Sequence, residues 1–233
     1  MVRPSKIIPI VYVGAIKDKV NIFNALPEVS GKYWDQTTDG VLSDLKKAIK
    51  DYYLVAQDFT CAYCRQRIEV AHNGAWDADH IVPKDTHPRF MFEPRNLCVS
   101  CKDCNGNKSN KNVLVNKRRV KFPIKSEDYL LCHPHYDNYD EHVSVLSVAG
   151  FYLPKTEKGR ALVEVCGLLR FLYKFSGFQS VNDDLKIKMG KLNALLMEAN
   201  DSATENYILD CIEDLARRGK EESRKKLMNE LMA

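Results

Sequence analysis

A carboxylate and a histidine stand side by side in the middle of this sequence, at Asp79 and His80. A carboxylate offers a hard oxygen ligand for a cation, and an imidazole can accept a proton near neutral pH. Two Cys-x-x-Cys pairs flank this dipeptide, Cys61/Cys64 and Cys101/Cys104. Cysteines at this spacing can hold a tetrahedral Zn²⁺, which stabilises a small substructure with little hydrophobic core. The pattern predicts a metal-dependent reaction beside a structural zinc site.

The zinc site is expected to be structural because four thiolates leave no open coordination position. The alternative is that four unrelated cysteines fall into this spacing by accident. Two x-x pairs on either side of a conspicuous Asp-His dipeptide are not a common accident, so we favour the zinc site. The second pair runs directly into Asn105, whose amide oxygen is a further potential cation ligand at the start of a predicted helix.

The stretch from about Thr60 to Lys111 resembles an HNH (ββα-metal) endonuclease domain of the cysteine-bearing subtype. Four separated elements carry the resemblance, and they agree in order and register: Cys61-x-x-Cys64, Asp79-His80-Ile-x-Pro83, Asn96-Leu97, and Cys101-x-x-Cys104-Asn105-x-x-Lys108. The segment from Asp77 to Pro83 also resembles the HNH module of RNA-guided CRISPR nucleases. We therefore expect an α+β fold, with a zinc-clamped ββα-metal core and a mainly helical C-terminal half.

The resemblance implies a role for each matching residue. His80 is expected to be the general base, and Asp79 and Asn105 are expected to bind a catalytic Mg²⁺ or Mn²⁺. Asn96 would hydrogen-bond the backbone near the histidine and orient it. Lys108, one turn after Asn105, is either a phosphate contact or an ordinary solvated lysine of the helix surface.

Composition predicts a cytoplasmic protein of one or two domains. The chain has 233 residues, of which 45% are hydrophobic, and it shows neither a long apolar span nor a signal-peptide layout. In a reducing compartment, paired cysteines indicate metal binding rather than disulfides. The remaining four cysteines are expected to be small buried residues: Cys98, Cys132, Cys166 and Cys211.

A basic stripe follows the motif. Residues 102–125 hold eight Lys or Arg against the single acid Asp103, although the formal net charge of the chain is only +4. Within it, four residues are expected to contact the nucleic-acid backbone: Lys117, Arg118, Arg119 and Lys121. A short charged surface strand is the alternative interpretation.

Three regions are predicted along the chain. Residues 1–56 hold a strand at Lys6–Val13, a loop at Phe23–Asp39 and a helix at Val41–Ala56 capped by Asp39. Residues 57–125 form the nuclease core.

Residues 126–233 begin with a His- and Tyr-rich loop and continue with a strand pair at Val143–Leu153. Helices are predicted at 161–173, 181–199 and 202–231. His133, His135 and Asp137 could hold a second metal, but a polar loop is the simpler interpretation.

The resulting hypothesis is a metal-dependent HNH endonuclease that cleaves DNA. The alternative is a zinc-stabilised nucleic-acid-binding or protein-interaction module without catalysis, which would not need Asp79, His80 and Asn105 together. More loosely, the chain is similar to the HNH subunits of Septu-type and retron-linked anti-phage defence systems. That similarity implies an ABC-type ATPase as a protein partner.

Overall fold

The computed structural model describes residues 6–70, 74–146, 151–171 and 183–231. Seven α-helices and four β-strands lie in these ranges, in the chain order α1–α2–β1–β2–α3–α4–β3–β4–α5–α6–α7. The helices are α1 Gly14–Ala25, α2 Gly40–Ala56, α3 Lys102–Lys108, α4 Tyr139–His142, α5 Glu157–Val165, α6 Asp183–Glu198 and α7 Ser202–Leu231. The strands are β1 Trp76–His80, β2 Leu97–Cys101, β3 Val143–Leu146 and β4 Phe151–Pro154.

The core of the candidate site is the antiparallel pair β1–β2 followed by α3. Asp79 of β1 lies opposite Cys98 of β2, and His80 lies opposite Leu97. Every residue of β2 is buried, because α2 packs against both strands. The apolar stripe of α2 is fully buried at Leu42, Leu45, Ile49 and Tyr53. The predicted α+β class and the ββα core are confirmed.

The predicted helix cap at Asp39 is confirmed. Its carboxylate accepts a hydrogen bond from the backbone N–H of Leu42 at 2.9 Å, and it also forms an ion pair with Lys19 of α1. A side-chain cap of this kind stabilises a helix by about 1 kcal/mol. Asp39 thus begins α2 and also connects it to α1.

The predicted strand at Lys6–Val13 is wrong. This segment is extended, but it pairs with no strand among the described residues; its Ile7 N–H donates to the carbonyl of Pro134 at 3.1 Å. β-branched residues favour extended backbone, but a strand also requires a neighbouring backbone to pair with. The predicted loop at Phe23–Asp39 is also partly wrong, because Phe23 lies buried in α1 and Gly31–Tyr33 forms a 3₁₀ turn.

The described chain divides into two compact units. The first comprises residues 1–144 and 153–168, and the second comprises residues 145–152 and 169–233. β3 and β4 form the predicted strand pair. In the second unit α6 packs against α7, with Leu196, Ile208 and Ile212 buried.

The helices predicted at 181–199 and 202–231 are confirmed within the described ranges, although residues 181 and 182 lie outside them. The helix predicted at 161–173 begins earlier, at Glu157, because the Thr156 hydroxyl accepts a hydrogen bond from the Gly159 N–H. It ends at Val165, shortly before Gly167 adopts φ +60°. Residues 172 and 173 lie outside the described ranges. No helix in those ranges is long and apolar enough to cross a membrane.

Candidate active site

The four paired cysteines converge on one point beside the β1–β2 hairpin. All four are buried and free of disulfides, and their Sγ atoms lie within 4.8 Å of one another. The Sγ atoms of Cys64 and Cys101 are 3.9 Å apart. Four sulfurs at ~2.3 Å from a tetrahedral zinc would be ~3.8 Å apart. The cluster therefore has the donor set and the size of a structural zinc site.

Local backbone structure explains this convergence. Cys61 and Cys64 lie on a tight turn that is closed by a hydrogen bond from the Cys61 N–H to the Gln66 carbonyl. In this turn Arg65 adopts the left-handed φ of 57°. Cys101 ends β2 and Cys104 lies in the first turn of α3. The Cys101 N–H also donates to the Cys61 Sγ at 3.3 Å, which directs the two pairs at each other.

Asn105 lies beside Asp77, a residue with no predicted role. Its amide donates to the Asp77 carboxylate at 2.8 Å, and Lys102 forms an ion pair with the same carboxylate. Side chains of a strand alternate between its two faces, so Asp77 and Asp79 share the face of β1 that meets α3. Asp77 could have been predicted from the sequence, because it stands two residues before Asp79 and a strand places such residues on one face.

Asp79 lies deeper, in a buried ion pair. The ammonium of Lys108 donates to the Asp79 carboxylate at 2.9 Å and to the His80 carbonyl at 2.8 Å. The Tyr63 hydroxyl donates to the other carboxylate oxygen. Asp79 thus accepts hydrogen bonds from Lys108 and Tyr63. Asn105, the other expected cation ligand, instead donates to Asp77.

Both interpretations of Lys108 required an accessible side chain, and the structure contradicts them. Lys108 is only 1% exposed. Its ammonium is directed into the ββα core by the charge of Asp79, since an unpaired carboxylate there would be costly to bury.

His80 ends β1 with its ring on the opposite face from Asp79. It is 6% exposed, and its Nε2 has no hydrogen-bond partner among the described residues. The Trp34 indole lies edge-to-face on the imidazole, with 4.5 Å between ring centroids. Burial, assisted by the charges of Lys108 and Lys84, lowers the pKa of His80 to about 3. The imidazole is therefore neutral at pH 7 and retains a lone pair.

Asn96 fixes the chain that follows His80. Its side-chain oxygen accepts a hydrogen bond from the Val82 N–H at 2.7 Å, and its amide donates to the carbonyls of Val82 and Phe90. Its own carbonyl accepts from the Ile81 N–H at 2.8 Å. Asn96 is fully buried, so these bonds hold the backbone on the C-terminal side of the histidine in one conformation.

The basic residues after the motif lie in turns, not in a strand. Lys117, Arg118 and Lys121 are exposed, while Arg119 forms an ion pair with Asp128. Because Lys108 is buried and Arg119 is paired, three of the five expected nucleic-acid contacts present their charges to solvent.

The histidines of the possible second metal site do not converge with Asp137. His135 places its two ring nitrogens 3.0 and 2.8 Å from the carbonyls of Ile7 and Leu97. The His133 ring is stacked on Tyr136, with 4.3 Å between centroids. Both rings are therefore engaged in packing the loop.

A four-thiolate cluster beside an antiparallel hairpin and a short following helix fits a zinc-bearing ββα core. Residues 61–111 match the model of the HNH endonuclease family, so the resemblance drawn from the motifs is confirmed. The chain is also similar to the Septu protein PtuB of Bacillus thuringiensis. The two are 36% identical over 75 residues, which are 30% of this chain and 29% of that relative.

The chain thus covers less than a third of the relative's length. No solved structure gives a significant match. The family match supports a nuclease domain at residues 61–111.

Proposed function

We propose that this chain is a metal-dependent endonuclease that hydrolyses phosphodiester bonds of DNA. The observation that carries the proposal is the unpartnered Nε2 of His80, one residue after the carboxylate Asp79 in the segment that matches the HNH family. A buried polar atom without a partner has a free-energy cost, and a catalytic role is one reason for a protein to retain it. In this proposal Nε2 accepts the proton of the attacking water.

The residues at the junction of β1 and α3 fit a hard divalent cation. Their donor atoms are the carboxylate oxygens of Asp77 and Asp79 and the amide oxygen of Asn105, which suit Mg²⁺ or Mn²⁺. Such a cation, when bound, would neutralise charge on the phosphate and on the leaving oxygen. We assign Asp79 and Asn105 as its ligands, with Asp77 available beside them.

The remaining site residues orient the catalytic groups, balance their charge or contact DNA in this proposal. Asn96 orients the backbone that carries His80, and Lys108 balances the charge of Asp79. The exposed cations Lys117, Arg118 and Lys121 would follow the phosphate backbone of DNA. The four cysteines would hold a structural Zn²⁺ that fixes the start of α3.

Asn105→Ala is expected to reduce nicking of supercoiled plasmid in Mg²⁺ or Mn²⁺ by about 10²-fold, because a ligand of the cation is lost. Asn107→Ala is the matched control, since Asn107 lies on the same helix and donates only to the Asp103 carbonyl among described contacts. Its cleavage should equal that of the wild type. Equal activity of both variants would remove Asn105 from the site. A wild type that binds DNA without cutting it, with or without a partner, would instead support the non-catalytic binding module.

The burial of His80 beneath Trp34 leads to a second prediction. The Trp34 carbonyl accepts from Lys46 at 3.1 Å, and Lys84 donates to the Gly31 carbonyl at 3.2 Å and to Asp35. Gly31 approaches Asp85 so closely that an added Cβ would lie 2.0 Å from its carboxylate oxygen. We infer that residues 31–35 cover His80 and must move before DNA reaches it.

Trp34→Ala should therefore raise basal plasmid nicking by up to about tenfold, because an aromatic pair contributes about 0.5–1.5 kcal/mol. Lys32→Ala, an exposed neighbour, is the control and should leave the rate unchanged. A Trp34→Ala variant that keeps its fold but loses activity would show that the indole positions His80 and does not cover it.

We further propose that the nuclease acts as the effector subunit of an anti-phage defence system with an ABC-type ATPase partner. The similarity to the Septu protein supports this proposal. Affinity purification from a host that expresses the chain at its natural level should co-isolate an ATPase, identified by mass spectrometry. Recovery of the chain alone, together with vigorous nuclease activity of the isolated protein, would contradict the partner but not the nuclease.

A further inference from the structure

A second group of metal-binding side chains lies outside the nuclease motif. The thiol of Cys132, a carboxylate oxygen of Asp137 and a ring nitrogen of His142 lie within 4.8 Å of one another. Cys132 and Asp137 are buried, and His142 is partly exposed. Four residues separate each ligand from the next, giving the pattern Cys-x₄-Asp-x₄-His. One short segment therefore brings three different donor atoms together.

The hydrogen bonds of His142 leave one ring nitrogen for this cluster. Its Nδ1 lies 2.7 Å from the Thr156 hydroxyl oxygen, which also accepts from the Gly159 N–H. Its Nε2 is 3.8 Å from a carboxylate oxygen of Asp137, too far for a hydrogen bond. A histidine that binds a metal through one nitrogen normally hydrogen-bonds an oxygen through the other. His142 has this arrangement.

The two carboxylate oxygens of Asp137 likewise have different partners. Its Oδ2 accepts from the His133 N–H at 2.7 Å and from the Lys158 ammonium at 2.8 Å. Its Oδ1 faces His142 and accepts only from the Ser126 hydroxyl among the described residues. Oδ1 thus retains a lone pair on the side where the imidazole and the thiol converge.

Lys158 is the strongest argument against a cation here, because its charge would repel a metal. It is anchored on the far oxygen, however, and it also donates to the Ser126 carbonyl and hydroxyl at 2.6 Å. A thiolate formed at Cys132 on metal binding would add a negative charge that offsets the ammonium. The thiol of Cys132 has no hydrogen-bond partner in the described part of the chain, so no existing bond would be lost.

We propose that Cys132, Asp137 and His142 bind one Zn²⁺, with water in the fourth position. A sulfur, an imidazole nitrogen and one carboxylate oxygen form a donor set that suits zinc, whereas Mg²⁺ prefers oxygen ligands alone. The ion would connect the loop before Asp137 to α4, on which His142 lies. The site shares no residue with the four-cysteine cluster or with the proposed cation site at Asn105.

The test is the zinc content of the purified, tag-free full-length chain, measured by elemental analysis. We expect about two zinc ions per chain in the wild type and about one in Cys132→Ser and in His142→Gln. Cys211→Ser, a partly exposed cysteine of α7, is the control and should keep both. Cobalt substitution gives a second measure, since the thiolate-to-cobalt absorption should fall in Cys132→Ser but persist at the four-cysteine cluster.

One zinc in the wild type would overturn the proposal and leave an ordinary polar cluster. Two zinc ions retained in both variants would also overturn it, by placing the second ion elsewhere. If Cys132→Ser fails to fold, His142→Gln decides the question, because its side chain is partly exposed and the thiol remains. None of these outcomes depends on DNA cleavage, so the proposal can fail while the nuclease assignment stands.

Discussion

His80→Ala is expected to reduce DNA cleavage by at least about 10²-fold, the usual contribution of a general base. The structure supplies the physical reason, since the neutral imidazole carries an Nε2 with no hydrogen-bond partner among the described residues. Plasmid nicking in Mg²⁺ and in Mn²⁺ measures the loss. Zinc content and the thermal unfolding midpoint, measured on the same preparation, would show whether the fold is retained.

His87→Ala is the matched control. His87 lies seven residues further on, where its ring stacks on Phe90 and contacts the Thr86 hydroxyl. Cleavage by this variant should remain at the wild-type level. If His80→Ala is folded and cuts as fast as an active wild type, the base must be another group, and the mechanism proposed here is wrong.

Cys104→Ser is expected to have the largest effect on stability. A structural zinc site contributes roughly 10–16 kcal/mol of apparent free energy, which equals or exceeds the 5–15 kcal/mol that separates most folded domains from their unfolded state. The serine hydroxyl cannot replace a buried thiolate ligand. The variant should be insoluble or rapidly cleaved by protease, and its zinc content should fall.

Cys211→Ser serves again for comparison, because Cys211 lies on α7 away from either cysteine pair in the sequence. It should show wild-type protease resistance. A Cys104→Ser protein that is zinc-free, folded and as stable as the wild type would end the assignment of the four-cysteine cluster as a folding element.

The features predicted correctly from the sequence are those set by residues close together in the chain. The cysteine spacing gave the thiolate cluster, and Asp39 before an apolar stripe gave the start of α2. In each case the residues that decide the structure are close in sequence.

Contacts between distant segments were not predictable in this way. Trp34 reaches His80 across 46 residues (80 minus 34), and no pattern near either residue indicates the contact. Lys108 has the sequence context of a solvated helix lysine, and only its pairing with Asp79 explains its burial. The strand predicted at Lys6–Val13 failed for the same reason, since the presence of a pairing partner is not a local property.

Cys101 belongs to three structural features, and it thereby makes the proposed cation site depend on the supply of zinc. It is the last residue of β2, the residue before the first turn of α3 and a member of the thiolate cluster. Asn105 follows it by four residues, about one helical turn. A chain synthesised under zinc starvation would therefore lack a fixed position for Asn105, although Asn105 itself does not touch zinc. The potency of such a nuclease inside a cell would then follow zinc availability as well as exposure to DNA.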